Sequence, residues 1–272
     1  MSENSGTVPF IEMHVLYFSH GLIFRERCML GLLLNTLILS TSLQLSAPNI
    51  QWYTEDYPPF NYQSQGQLHG LALNVLRSAY QDLDWYLDES QIVLAPWPRA
   101  YKSVQQQANT CVFSMTYTEP RAKLFNFIGL VIPNTVAVIG HKDTDISISQ
   151  LKQDKSLTYG VVKNDIGHQA LLAYGISESQ FVYLKTGLEL VQMIDHKRVD
   201  LIAYGDAIAR FQFKRANINP KNYRLLMPLL NSKLGFACNK QVPQTLLRQL
   251  DISIKQAVQN EPKLLIYHDA SK

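Results

Sequence analysis

Hydrophobic and polar positions change period repeatedly along residues 50–258, and glycine or proline marks most of the changes. Residues 50–54 (IQWYT) are rich in β-formers and predict a strand. Glu55-Asp56-Tyr57-Pro58-Pro59-Phe60 follows, and two consecutive prolines end regular structure, so this is a loop at a strand's end. Gly66 and Gly70 mark a turn. Leu71, Val75, Leu76 and Ala79 then share one face of a helix predicted over 71–80. Residues 92–95 predict a short buried strand, stopped by Pro96-Trp97-Pro98. Residues 99–107 read as a helix and 111–115 as the next strand. An apolar strand at 135–139 precedes a polar stretch, 141–149.

Alternation of strand and helix argues for a parallel sheet covered by helices. In such sheets ligands bind beyond the carboxyl ends of the strands, which points to residues 55–60, 96–99 and 114–121. A second alternating block follows, with strands at 157–162, 181–184 and 201–204 and helices at 168–174 and 187–196. Lys163-Asn164-Asp165-Ile166-Gly167 is its first loop. A strand at 234–238 and a long helix at 242–258 end the pattern. Two similar blocks with a late return segment predict two α/β lobes, between which the chain crosses and comes back.

The N-terminus adds a location. Residues 28–45 (CMLGLLLNTLILSTSLQL) carry no charge, follow Arg25-Glu26-Arg27 and exit through Leu45-Ser46-Ala47, the pattern of an export signal. The apolar core is shorter than the ~20 residues of a membrane-spanning helix. An uncleaved N-terminal anchor is the other reading. Residues 1–24 form an extension ahead of the signal, so Met13 or Met29 is an alternative start, and Cys28 lacks a lipobox. Cleavage near Ala47 starts the mature chain near Pro48 in the periplasm. It leaves two cysteines, Cys111 and Cys238, in a compartment that permits disulfides.

Composition narrows the function classes. With 46% hydrophobic and 17% charged residues among 272, the chain holds enough apolar material for one large core or two modest ones. The net charge of +3 is spread without the basic stripe a nucleic-acid partner demands. The seven histidines show no ligand spacing, and there is no Gly-rich phosphate loop and no Ser-His-Asp order. No metal, cofactor or catalytic residue is expected.

The residues resemble the periplasmic solute-binding proteins of the polar amino acid type over nearly the whole mature chain. The landmarks are Tyr57-Pro58-Pro59-Phe60, Gly66 with Gly70, Pro96-Trp97-Pro98-Arg99-Ala100, and Ser114-Met115-Thr116-Tyr117-Thr118-Glu119-Pro120-Arg121. The last is similar to the family's Ser-x-Ser/Thr-x-Thr-x-x-Arg segment. Phe125-Asn126-Phe127 and Arg198-Val199-Asp200 resemble two further elements, with Lys197 in place of a glycine. The resemblance implies a two-lobed α/β fold, each lobe a mostly parallel sheet flanked by helices, joined by two crossover strands. Lobe one is then residues 48–139 plus 234–272, and lobe two 140–233. It further implies a monomer that closes about its hinge on a small solute, an amino acid or related carboxylate. A membrane transporter permease or a sensor reads the closed form.

Carried over residue by residue, the resemblance places Arg121 at the solute carboxylate. The planar fork of an arginine suits a carboxylate because it gives parallel charge-assisted bonds. A surface pair with Glu119 is the plain alternative. Thr116 and Ser114 match neighbouring polar contacts, and Tyr57 and Trp97 either sandwich the solute or pack the lobe edge. Arg99 either meets an anionic group or pairs with Glu55 or Asp56. The family's ammonium-binding aspartate falls at position 205, which is glycine here. Asp206, one residue late, is the candidate, with Glu55 as its backup. In the second block, the 163–165 loop offers main-chain N–H groups to an anion, or serves as an ordinary helix cap. The return strand beside the third strand brings Cys111 near Cys238, as a disulfide or as two buried thiols. Two rival functions stand beside transport. One is a sensory protein that signals to a partner; the other is a dehydratase-like enzyme using Glu55, Asp206 or His168 as general acid.

Overall fold

A computed structural model describes residues 49–265, so the expected export segment and Cys28 lie outside the described residues. Strand β1 (Gln51–Thr54) runs between two parallel neighbours, β4 (Val93–Leu94) and β5 (Thr110–Thr116). A two-stranded hairpin, β2 (Tyr62–Ser64) and β3 (Gln67–His69), precedes helix α1 (Leu71–Asp82). The apolar face read from the sequence is the buried one: Leu71, Val75, Leu76 and Ala79 all point into the core. Truncating Leu76 to Ala there would cost roughly 2–5 kcal/mol. Above the sheet, Trp52 meets Phe113 and Phe236 edge-on at 5.4 and 5.7 Å.

Helices α2 (Trp97–Gln106) and α3 (Glu119–Leu124) leave the carboxyl ends of β4 and β5. Two strands of 17 residues then run past each other antiparallel: β6 (Phe125–His141) and β10 (Tyr223–Asn239). The sequence pattern marks only 135–139 and 234–238, because unbroken burial is confined to 136–140 and 234–239. Elsewhere both strands alternate between covered and partly open residues as they pass between the two blocks.

The second block comprises α4 (Ile148–Gln153), β7 (Tyr159–Val162), α5 (Ile166–Tyr174), β8 (Phe181–Leu184), α6 (Gly187–Asp195), β9 (Leu201–Gly205) and α7 (Asp206–Arg215). Helix α8 (Gln244–Asn260) returns to pack on α1 and β6. Both α4, which opens on a Ser147–Gln150 capping box, and α7 escaped the periodicity reading. The inner face of α7 includes the fully buried Gln212, which breaks its apolar stripe.

All strands but the hairpin join one sheet, in the order β4-β1-β5-β10-β6-β9-β7-β8. It is parallel at each end and antiparallel where β10 and β6 pass through the middle. This is the two-lobed α/β architecture that the resemblance implied, with the long strands as its crossovers. Cys238 of β10 lies opposite Cys111 of β5, and the two are joined in a disulfide with Cα atoms 4.0 Å apart. Among the described residues no helix is long and apolar enough to cross a membrane.

Candidate functional site

The carboxyl ends of β1, β4 and β5 face the loop between β7 and α5. Arg121 lies at the centre, 2% exposed, in the short helix α3 that Thr118 caps through its hydroxyl. Its guanidinium donates three hydrogen bonds: Nη1 to the Thr116 oxygen (3.2 Å), Nη2 to the Asn164 oxygen (3.3 Å) and Nε to Gln169 Oε1 (3.0 Å). All three acceptors are neutral, and two N–H groups of the five remain. Trp97 and Tyr101 flank the guanidinium carbon at 5.4 and 5.8 Å from their ring centres, a cation–π arrangement. Glu119, the alternative surface partner of Arg121, accepts from the Tyr117 hydroxyl instead.

The opposing loop is fixed by its own main chain. Asn164 takes a left-handed conformation (φ 62°), and its oxygen accepts from Trp97 Nε1 (3.0 Å), Arg121 and Gln169. Its N–H donates to Nδ1 of His168 at 3.2 Å. Burial pushes the His168 pKa down, which favours the neutral ring that this bond requires. Gly167 lets α5 approach β9, since a Cβ there would sit 2.0 Å from the Ala203 oxygen. Asp165 occupies the N-cap position of α5 without a side-chain capping bond of full geometry, although the N–H groups of Ile166 and Gly167 favour its ionised form.

The remaining residues sort by position. Thr116 is buried, and its hydroxyl accepts from Asn134 Nδ2 at 3.1 Å. Ser114 has φ 53° where the pairing of β5 with β10 slips a register, and its Oγ has no partner at 6% exposure. Tyr57 follows β1, before the cis Pro58–Pro59 peptide, and its ring meets Tyr204 edge-on at 5.6 Å. A Cβ at Gly205 would lie 3.0 Å from Asn134 Oδ1 and 3.3 Å from the Tyr57 hydroxyl, so a side chain at 205 would enter this cluster. Asp206 instead opens α7 and pairs with Arg210 at 3.0 Å. Arg99 is exposed on α2 and forms an ion pair with neither Glu55 nor Asp56; Asp56 is bound by Arg215.

Electrostatics tie Glu55 to this centre. Burial raises its pKa well above the ordinary carboxylate range, and Asp165 and then Asp56 add to the rise, while Arg121 opposes it. Burial likewise raises Asp165, with Arg121 as the main opposing influence. The Asp165 side chain, Gln169, Asn134, Tyr101 and Tyr204 were not singled out in the sequence. Only Tyr101 carried a signal there, one helical turn beyond Trp97.

Beside Arg121 a cavity of about 540 Å³ opens between α3, α5 and β10, lined by Tyr101, Leu124, Ile166, Ala170 and Leu229 among others. Among the described residues no group of three or more His, Cys, Asp or Glu side chains is arranged to hold a metal.

No curated protein sequence matches the chain. Solved structures match its fold at low identity. A histidine kinase sensor domain with similarity to periplasmic binding proteins aligns with a TM-score of 0.68 and 13% identity, covering 79% of this chain and 92% of that one. The substrate-binding protein of an amino acid ABC transporter aligns at 0.65 and 19%, covering 79% and 96%. The arginine-, lysine-, histidine-binding protein ArtJ from Geobacillus stearothermophilus aligns at 0.63 and 18%, covering 79% and 92%. A family model matches residues 51–265, which is nearly everything described above, and the chain belongs to the bacterial extracellular solute-binding proteins, family 3.

Proposed function

We propose that the protein is exported to the periplasm with loss of residues 1–47. There it binds a small polar solute, an amino acid or related carboxylate, by hinge closure and delivers it to a membrane transporter. The observation that carries this reading is the placement of Arg121. It is a buried guanidinium bonded to both blocks of the sheet, with two N–H groups still to give. A carboxylate between the blocks accepts those two bonds and ties the blocks together, which couples binding to closure. Thr116, Ser114, Tyr57, Trp97 and Glu55 complete the wall around it. Arg99 and Asp206 stand at its rim, the latter held by Arg210.

A family of binding proteins fits a non-catalytic role, and the amino acid ABC transporter component among similar folds supports delivery. The histidine kinase sensor domain supports a second reading, in which the closed form signals to a partner protein. Native mass spectrometry of the exported protein tests the shared claim: a small molecule should co-purify and be lost in Arg121→Ala. Pull-down from solubilised membranes, with and without that molecule, then separates a permease from a sensor kinase. An N-terminus found at residue 1 or 29 would overturn the export step.

A further inference from the structure

The charges around Arg121 do not balance. Glu55, after β1, and Asp165, before α5, approach the same guanidinium from opposite blocks, and among the described residues neither has an ion-pair partner within 4.0 Å. Asp165 is 6% exposed and its Oδ2 has no hydrogen-bond donor. Ser114 Oγ, equally buried, is a second polar atom without a partner. The third acid, Asp56, is taken by Arg215. Tyr57 and Tyr204, the phenols facing the acids, are held neutral by burial, and the acids reinforce this. Two carboxylates therefore share one cation, and that cation spends its bonds on neutral oxygens.

We propose that the cleft selects a solute with one more positive than negative charge, its cationic group lying between Glu55 and Asp165 and its carboxylate on the free N–H groups of Arg121. This deepens the reading of the cleft as a solute site, on which it rests. A neutral zwitterion, with one carboxylate and one ammonium, leaves one of the two acids uncompensated in a closed cleft. An acidic solute leaves both. An extra cation satisfies each charge, and an uncompensated buried carboxylate is the costliest of the alternatives. The arrangement also places selection on both sides of the hinge, because Glu55 belongs to one block and Asp165 to the other.

A consequence is proton release. Without solute, burial favours the protonated form of both acids, opposed only by Arg121 and the α5 N–H groups. A bound cation favours both ionised forms, so protons leave as it enters, at most one from each acid. Affinity for the cation should therefore rise from acid toward neutral pH.

Titration calorimetry with L-arginine and its neutral isostere L-citrulline tests this. Arginine should bind at least about tenfold more tightly, the low end of what a charge-assisted bond contributes. Repeating the titration in buffers of different ionisation enthalpy should show protons released with arginine and none with citrulline. Asp165→Asn and Glu55→Gln should each narrow the arginine–citrulline preference. Citrulline binding as tightly as arginine to the unaltered protein overturns the inference and leaves the solute-binding reading standing. If neither binds and Arg121→Ala changes nothing, both fall. Should the variants misfold, the arginine–citrulline ratio and the proton count still decide.

Discussion

Trp97, beyond β4 in the first block, donates its indole N–H to the main-chain oxygen of Asn164 in the second block at 3.0 Å. One partly buried bond thus crosses between the blocks, and Arg121 sends another to the same acceptor. Trp97→Phe keeps the ring over the guanidinium and removes only the crossing bond, a loss of about 1 kcal/mol. Main-chain hydrogen exchange at residues 163–168 should then quicken about fivefold in the solute-free protein. Exchange unchanged from the parent would mean the Asn164 loop is held by its own block alone, through His168 and Gln169.

Arg121 has a larger task. Arg121→Ala removes the group proposed above to meet the solute carboxylate, together with its hydrogen bonds to the main-chain oxygens of Thr116 and Asn164. Truncating one member of a buried charge pair typically costs ~2–5 kcal/mol, so affinity should fall by a factor on the order of 30 or more. Arg121→Lys should restore little, because a single ammonium cannot hold Thr116, Asn164, Gln169 and a ligand together. Unchanged affinity by calorimetry, with circular dichroism intact, would falsify this assignment.

The one-residue displacement of the second-block aspartate shows how far the sequence could be read. The alternation of elements, the crossover and the position of Arg121 were all legible, because each rests on periodicity or on a motif of several residues. Side-chain direction was not. Whether the acid falls at 205 or 206 decides between facing Tyr57 and Asn134 and opening α7 beside Arg210, and one position on a helix start turns the side chain about 100°. Asp165 is a related case: a residue ahead of a helix reads as a cap, and only the folded loop shows its carboxylate beside Arg121 without a side-chain capping bond. The long strands β6 and β10 were seen only in their fully buried stretches. Asp206→Asn should accordingly change solute affinity less than about twofold, the small worth of an exposed i,i+4 pair. A tenfold loss would return Asp206 to the cleft.

Glu55 makes a prediction about pH. Its pKa in the fold is raised, above all by burial and then by Asp165, so the charged form is the disfavoured one. A raised acid contributes stability that is complete below its unfolded pKa and disappears as pH rises through the folded value. Glu55→Gln removes that dependence. Without solute, the variant should match the parent near pH 4 and melt higher at pH 8, by a few degrees, since 1 kcal/mol moves Tm roughly 2–4 °C in a domain of this size. A parent more stable than the variant at pH 8 would show that Arg121 compensates Glu55 fully.

The disulfide ties the first block together at a distance from the stretch where the long strands pass between blocks. Cys111 and Cys238 face each other across β5 and β10, both fully buried, at the end of these strands away from the cleft. The 127-residue separation spans the whole second block, so the bond closes a loop that contains one lobe and anchors the return strand in the other. For a loop of that length the chain-entropy account gives up to about 5 kcal/mol of stabilisation. Neither cysteine lies in the stretch where β6 and β10 pass between blocks, so reduction should lower Tm without altering solute affinity below the transition. In denatured, unreduced protein lacking residues 1–47, thiol titration should find no reactive cysteine, and two should appear after reduction. Cys111→Ser with Cys238→Ser should reproduce the lower Tm and keep the affinity; a weakened affinity at full folding would place the bridge in the path of closure.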